Sequence, residues 1–474
     1  MRSTLRWLVV LVAVVVVGAA CGSRLPDQTL KAIDADLTDG SRAGTAQAAG
    51  STQTGAAAEA EAPTGAAAPT GPGAAPATTV APGPAAPAAT AACRPGAATS
   101  PGVTAREIKV ASIVTDSGPL PGATEGSYRG AAAYFAMVNS QGGVCGRKLT
   151  LVKGDDGLDP ARARGEFLRL EPQVLGFVGA YSVADSGYID LIAKTKVPYV
   201  SLTIDPSGRG LPNVFPKTRD DTVSTAPFVW WKQQHPKVTK TAILYADVGG
   251  VKANIDGTAK AIQKAGFQLV EPPIAVGVAD PDYTGQVRNL QDKGVQFVYL
   301  FAFEVNMHVR FNRNMRQQRY EPEIKGAGIA FNDRFSKLLG TDGDGWENNL
   351  AYLPFLDPTE AKRSKPVADF LAWNQRLYPG AQLDLFNVAG WGRAAMFVEA
   401  LRKAGGDVNR ATLLAALGKV PVYDDGGLGV KIQQPSGAID RCFVMARHEG
   451  GRWKREAPAG GGYECGLGEA LKWK

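Results

Sequence analysis

From residue 93 onward, short apolar and β-branched runs alternate with stretches whose apolar residues recur at helical spacing. Ile108-Lys-Val-Ala-Ser-Ile-Val114 predicts a strand, followed by the turn-rich loop Thr115 to Gly122. Tyr128, Ala131, Ala132, Phe135 and Val138 then mark one helix face, and Gly142-Gly143 stops that helix. Leu149 to Val152 reads as the next strand. Asp159-Pro160 supplies an N-cap and a first-turn proline for a helix through Phe167 and Leu170. Val174 to Val178, a helix from Asp185 to Lys194, and Val197 to Leu202 continue the alternation. Such βαβ successions build parallel sheets covered by helices on both faces.

The rhythm restarts after a gap. Thr241 to Tyr245, Phe267 to Val270 and Val295 to Phe301 read as strands, with helices expected over 254–265, 283–293 and 306–319. Later helices are expected over 369–378, 388–403 and 410–417. Cys442 to Arg447 and Arg452 to Lys454, joined by Glu449-Gly-Gly451, predict a hairpin. The expectation is an α/β fold of two doubly wound parallel-sheet lobes, and no short fixed repeat suggests a solenoid.

The N-terminus follows different rules. Arg2 and Arg6 precede the apolar run Leu8 to Val17, then Gly18-Ala-Ala20 and Cys21. These are the charged, apolar and small-residue regions of an export signal over residues 1–20. Fourteen residues from Trp7 to Ala20 fall short of the roughly 20 needed to span a bilayer. Cys21 after Gly-Ala-Ala resembles the lipobox of bacterial lipoproteins, although Gly18 stands where leucine is usual. The resemblance implies a lipid-modified Cys21 and an extracytoplasmic protein held on the outer face of the membrane. Residues 41–92 collapse to Ala, Gly, Pro, Thr and Ser, with Val80 the only large aliphatic residue, so residues 21–92 read as a disordered tether.

Export bears on charge and cysteines. Loss of Arg2 and Arg6 leaves 50 Lys+Arg against 45 Asp+Glu, a formal +5 spread too thinly for nucleic-acid binding. With Cys21 assigned to lipid, Cys93, Cys145, Cys442 and Cys465 remain, and three pairings are open. The sequence-local choice is Cys93–Cys145 with Cys442–Cys465, each stabilising by roughly 3–4 kcal/mol through loop closure. Three histidines and no Cys-x-x-Cys give no basis for zinc or redox chemistry, and no cofactor is expected.

The ordered motifs resemble one family. They are the Ile-Lys-Val-Ala strand, the Ser117-Gly-Pro loop, Asn139-Ser-Gln-Gly-Gly-Val-Cys-Gly-Arg-Lys-Leu149, Asp155-Asp-Gly-Leu-Asp-Pro160, Val178-Gly-Ala-Tyr-Ser182, Val197-Pro-Tyr-Val-Ser201, Asp282-Tyr283 and Ala389-Gly-Trp391. Over roughly Thr104 to Pro458 the chain is similar to extracytoplasmic solute-binding proteins of the leucine/isoleucine/valine-binding type. The resemblance implies two lobes joined by three crossings, a ligand in the cleft between them, and delivery to an ABC permease in the membrane. It partitions the chain as lobe one over 93–221, lobe two over 222–352, a return to lobe one over 353–430, and a lobe-two tail over 431–474. The local disulfide pairing agrees with that partition.

In open parallel sheets, ligands bind beyond the carboxyl ends of the strands, near free helix N–H groups. That rule selects Ser117, Tyr181, Ser182, Ser201 and Thr203 in lobe one. The resemblance gives Ser182 the ligand's carboxylate, with Thr203 and Asp205 completing the pocket. In lobe two, the loop Asp247-Val-Gly-Gly-Val251 lacks the family's aromatic residue, and Gly328 stands where an acidic residue pairs with a ligand ammonium. Glu304 is the candidate substitute, and Phe303 and Phe331 the candidate apolar cover. The ligand expected is a small polar solute, amino acid-like or another small organic acid or amide.

Arg310, Arg313, Arg316 and Arg319 recur every third residue and read as a solvated helix face. Gly-x-Ser-x-Gly, His-Glu-x-x-His and P-loop motifs are absent from the sequence, which argues against an anchored hydrolase. A ligand sensor of the same fold is the nearer alternative.

Overall fold

The computed structural model describes residues 93–219, 221–248, 251–439 and 441–474. The export signal, Cys21 and the tether expected over residues 1–92 lie outside the described residues. The first apolar run forms β1 (Glu107–Val114), with β2 (Lys148–Asp155), β3 (Phe177–Val178), β4 (Tyr199–Val200) and β5 (Val214–Phe215) in one sheet. All pairs are parallel, in the order β2-β1-β3-β4-β5. From Val110 to Val114 every residue of β1 is buried, as a strand covered on both faces must be. The covering helices are α1 (Glu125–Ser140), α2 (Pro160–Leu170) and α3 (Ile189–Thr195). Asp159 caps α2 by accepting the Arg162 N–H at 2.8 Å, with Pro160 in the first turn.

The second lobe opens with β6 (Thr222–Ser224) and α4 (Ala226–Gln234). Helix α4 fills the gap in the sequence pattern. Its residues Ala226, Phe228, Trp230 and Trp231 are buried around most of its circumference, so no polar face exists to reveal a period. There follow β7 (Lys240–Ala246), α5 (Lys252–Lys264), β8 (Gln268–Leu269), β9 (Ile274–Val276) and α6 (Thr284–Asp292). Next come β10 (Phe297–Phe301), α7 (Val305–Gln317), β11 (Ile324–Ala327), α8 (Asp333–Leu339) and β12 (Trp346–Leu350). Strands β8 and β9 both pair with β7 as one interrupted edge. Pro272-Pro273 lies between them and cannot donate to a ladder.

The chain then returns to lobe one through α9 (Glu360–Arg363), α10 (Lys365–Leu377), α11 (Leu385–Ala404) and α12 (Arg410–Leu417). Helices α1 and α11 cross backbone to backbone. A Cβ at Gly130 would fall 1.9 Å from the Asn387 carbonyl oxygen, and one at Gly390 1.8 Å from that of Ser127. A small antiparallel sheet follows, made of β13 (Val422–Tyr423), β14 (Ile432–Gln433) and β15 (Ala438–Ile439). The last crossing leads to the hairpin β16 (Val444–Glu449) and β17 (Arg452–Ala457), and β18 (Ala470–Lys472) pairs back onto β6. The hairpin extends the second sheet beyond β12 in antiparallel sense, so that sheet is mixed at one edge.

The disulfides are Cys93–Cys145 and Cys442–Cys465. Beside the first, the fully buried Arg147 guanidinium donates to the carbonyls of Thr104, Gly406 and Gly96 at 2.7, 2.5 and 2.7 Å. An aromatic series joins the lobes: Trp453, Phe331, Phe355, Phe370, Trp391 and Tyr134 follow one another with ring centroids 4.9–5.6 Å apart. Phe331 is therefore core, not ligand cover.

Candidate functional site

The carboxyl ends of both sheets face a cleft of about 750 Å³. Lobe one lines it with the Pro119–Thr124 loop, Tyr181 and Val183 after β3, and Leu202, Ile204 and Arg209 after β4. Lobe two contributes Val248 after β7, Phe301 at the end of β10 with Ala302 and Glu304 after it, the face of α7 bearing Asn306 and Arg310, and Gly328 and Ile329 after β11. Arg209 bridges the lobes, donating from Nη1 to Asn254 Oδ1 at 3.0 Å and from Nε and Nη2 to the carbonyls of Thr203 and Ile204.

Of the residues expected in the site, Tyr181 and Glu304 line the cleft. Tyr181 packs edge-on against Phe386, centroids 4.9 Å apart, and burial raises its phenol pKa. The other candidates turn away from it. Ser117 donates to Asp155 Oδ2 at 2.5 Å and fixes its own loop to the end of β2. Burial opposes ionisation of Asp155, but hydrogen bonds from Ser117, Asp116 and Gly157 hold its pKa down to about 2.

Ser182 is fully buried and donates to Asp156, which also accepts the Thr115 hydroxyl at 3.0 Å and the Leu158 N–H at 2.7 Å. Ser201 donates to the Ala180 carbonyl at 2.7 Å. Asp205 caps the short turn Pro206–Gly208, accepting the Ser207 N–H at 2.9 Å and its hydroxyl at 2.6 Å. Thr203 is buried, and its hydroxyl has no hydrogen-bond partner among the described residues. The expected hydroxyl cradle is thus an internal brace beneath the cleft. It is completed by Asp185, which accepts the N–H groups of Ile204 and Asp205 at 2.6 and 3.0 Å. Burial pushes Asp185 up to about 7 despite those two bonds.

In lobe two, Ala302 takes a positive φ of 57° after β10, which turns Phe303 inward and Glu304 outward. Phe303 is fully buried between Tyr283 and Phe311, at 5.9 and 6.1 Å, so it is core. Glu304 caps α7, accepting the N–H groups of Asn306 and Met307 at 2.7 Å each. Both carboxylate oxygens are thereby engaged at a helix N-terminus, which already satisfies the charge that an ammonium would need. Gly328 supplies no charge, and a Cβ there would meet the Tyr299 hydroxyl at 3.4 Å.

Arg209, Arg310 and Arg334 also line the cleft and were not among the sequence candidates. The arginine stripe on α7 splits into separate roles: Arg310 faces the cleft, Arg313 faces solvent, Arg316 pairs with Asp342, and Arg319 terminates the helix at φ 54°. Arg310 lies in the second turn of a helix that follows a β-strand, a position that faces the ligand side in such sheets. That was the available signal. For Arg209, in an irregular loop, there was none.

The matched family model is that of the periplasmic binding proteins, aligned over residues 107–452. The chain belongs to the periplasmic binding protein family. Members of the family are solute-binding proteins rather than enzymes. A Leu/Ile/Val-binding protein homologue from Brucella abortus is 25% identical over 345 residues, covering 67% of this chain and 82% of the relative. Among solved structures, a fatty acid ABC transporter substrate-binding protein from Thermomonospora curvata is 22% identical with a TM-score of 0.61. It covers 79% of this chain and 94% of that one. An R. palustris solute-binding protein in complex with benzoate is 18% identical with a TM-score of 0.61, covering 77% and 97%. This periplasmic binding protein thus shares its fold with proteins described as handling quite different solutes, and the lining of its own cleft has to carry the ligand question.

Proposed function

We propose that this periplasmic binding protein is lipid-anchored through Cys21, captures a small organic solute between its lobes, and hands it to an ABC permease in the membrane. The observation that carries the reading is the cleft itself. Its walls come from the strand ends of both lobes, and the Arg209–Asn254 hydrogen bond links them across the opening. A ligand touching both walls favours the closed arrangement by its differential affinity for it. A dissociation constant near 1 μM corresponds to about −8.2 kcal/mol, enough to offset closure and still permit release to a permease. The relatives include one named for leucine, isoleucine and valine and others described with fatty acid and benzoate, so the solute varies within the fold.

The test is mass spectrometry of small molecules released on denaturing the purified protein, combined with small-angle scattering after their removal and return. Capture predicts a released organic solute and a smaller radius of gyration when it is added back. A protein that releases nothing, and stays equally extended with every fraction of a cell extract, is not a capture protein.

A further inference from the structure

Resting on the capture reading, we propose that the cleft takes a monocarboxylate with an extended apolar body. Its acid group would be held on lobe two by Arg310, Arg334 and Asn306, with the apolar body laid against lobe one. The charges lining the cleft carry the argument. Arg219 is already matched by Asp221 through two bonds of 3.0 Å. Glu304 is held by the α7 N–H groups, and Arg209 is committed to two carbonyls and Asn254. Arg310 and Arg334 remain: among the described residues none of Arg209, Arg310 and Arg334 forms a salt bridge, but all three nitrogens of Arg209 donate, whereas Arg310 and Arg334 each donate through Nη2 alone.

Both are fixed from behind. Arg310 Nη2 donates to the Val278 carbonyl at 2.8 Å and the Tyr283 hydroxyl at 3.3 Å, with the Tyr283 ring centroid 5.7 Å from the guanidinium. Its buried Nε has no partner among the described residues. Arg334 Nη2 donates to Asn306 Oδ1 at 3.0 Å, and Asn306 lies four residues before Arg310 on the same helix face. Two guanidiniums therefore converge on one corner of a largely apolar cleft. Such a corner is stabilised by an anion with planar, bidentate acceptors.

Lobe one donates the hydroxyls of Ser182, Ser201 and Ser117 to protein acceptors, and keeps the Thr203 hydroxyl, unpartnered among the described residues, buried behind the lining. What it presents is Leu120, Val183, Leu202 and Ile204, a surface for hydrocarbon. The volume, about 750 Å³, lies in the upper half of the range for drug-sized ligands. The other arginines of the lining, Arg209 and Arg219, are already engaged by protein partners and leave no cation for a second acid group, which selects monocarboxylates.

The test is calorimetry on ligand-stripped protein with butanoate, hexanoate, octanoate, octanamide and leucine. Affinity should climb from butanoate to octanoate by up to about fourfold per methylene. Octanamide should bind about 10–100-fold more weakly than octanoate, and leucine more weakly still. Arg310→Gln and Arg334→Gln should each weaken octanoate by about 10–100-fold while leaving octanamide within about threefold. Arg334 is exposed, so its variant tests the proposal even if Arg310→Gln fails to fold. Equal affinity for acid and amide, leucine bound as tightly as octanoate, or octanoate binding unchanged in either folded variant overturns the assignment. Val183→Trp, which fills the cleft, separates the two readings. Octanoate binding that survives it puts the acid elsewhere and removes the support for capture as well. A co-purified ligand without an acid group, lost in Val183→Trp, overturns the class and leaves capture standing.

Discussion

At the lobe-one edge of the cleft, Asp156 gathers the hydroxyls of Thr115 and Ser182, while Asp185 gathers the N–H groups of Ile204 and Asp205. At the lobe-two edge, Arg310 and Arg334 are braced from behind and left without a carboxylate. Both edges consist of the same strand-to-helix loops at the same end of a parallel sheet. One commits its polar groups, all three nitrogens of Arg209 included, to protein partners and otherwise shows the ligand hydrocarbon; the other keeps charge in reserve. Placement at the ligand end of a sheet nominates a residue, and its hydrogen-bond partner decides whether it is free to bind.

The sharpest way to break this contrast is to remove the acceptor under lobe one. Asp156→Ala leaves two buried hydroxyls and one N–H without their partner, and should cost roughly 2–4 kcal/mol of stability. Urea denaturation reads this directly, and octanoate affinity of the folded fraction should stay within about threefold of wild type. Unchanged stability with lost binding would make Asp156 a ligand group and dissolve the contrast.

Much of the fold was readable in advance because long apolar strands and amphipathic helices carry a period. Ile108 to Val114, the Asp159-Pro160 cap and the Glu449-Gly-Gly451 hairpin turn stand where the pattern placed them. Helix α4 was not readable, since burial on nearly all sides erases the period. The site was read by loop and missed by side chain. Sequence places Ser182 and Phe303 in cleft loops but does not say that the first turns down to Asp156 and the second into the Tyr283–Phe311 core. A hydroxyl that binds a ligand and one that braces a loop have the same spelling.

Acid separates the lobes in a second way. Burial lifts Asp185 from an ordinary 3.8 to about 7, with Asp205 and Arg209 the charged groups beside it. The folded state therefore holds this proton more tightly than the unfolded chain, and the contribution of Asp185 falls as pH rises between about 4 and 7. His308 is fully buried among Phe303, Phe335 and Trp346, with neither ring nitrogen partnered among the described residues, and burial depresses its pKa from 6.5 to about 3. The unfolded chain takes this proton first, so the contribution of His308 is lost as pH falls below about 6.5. Each slope is about 1.4 kcal/mol per pH unit at most, and the signs oppose. Asp185→Asn should make denaturation more acid-sensitive between pH 4.5 and 6.5, and His308→Leu less so. Parallel stability curves for the two variants would mean that the two environments do not differ as described.

The smallest effect sharpens the contrast within lobe one itself. Ser182 and Thr203 were both candidates for a ligand's acid group, and the structure gives them opposite hydrogen-bonding fates. Ser182 donates to a buried carboxylate and accepts the Ala184 N–H at 3.2 Å, so Ser182→Ala should destabilise by roughly 1–2 kcal/mol. The Thr203 hydroxyl is buried and unpartnered among the described residues, and its removal relieves a desolvation cost. Thr203→Val keeps the shape and deletes that hydroxyl, so it should stabilise by about 0.5–1 kcal/mol. Neither change touches the lining of the cleft, so calorimetry should find both variants binding octanoate within about threefold of wild type. If instead both lose affinity at unchanged stability, the acid group sits on lobe one after all. The arginine corner would then need another role.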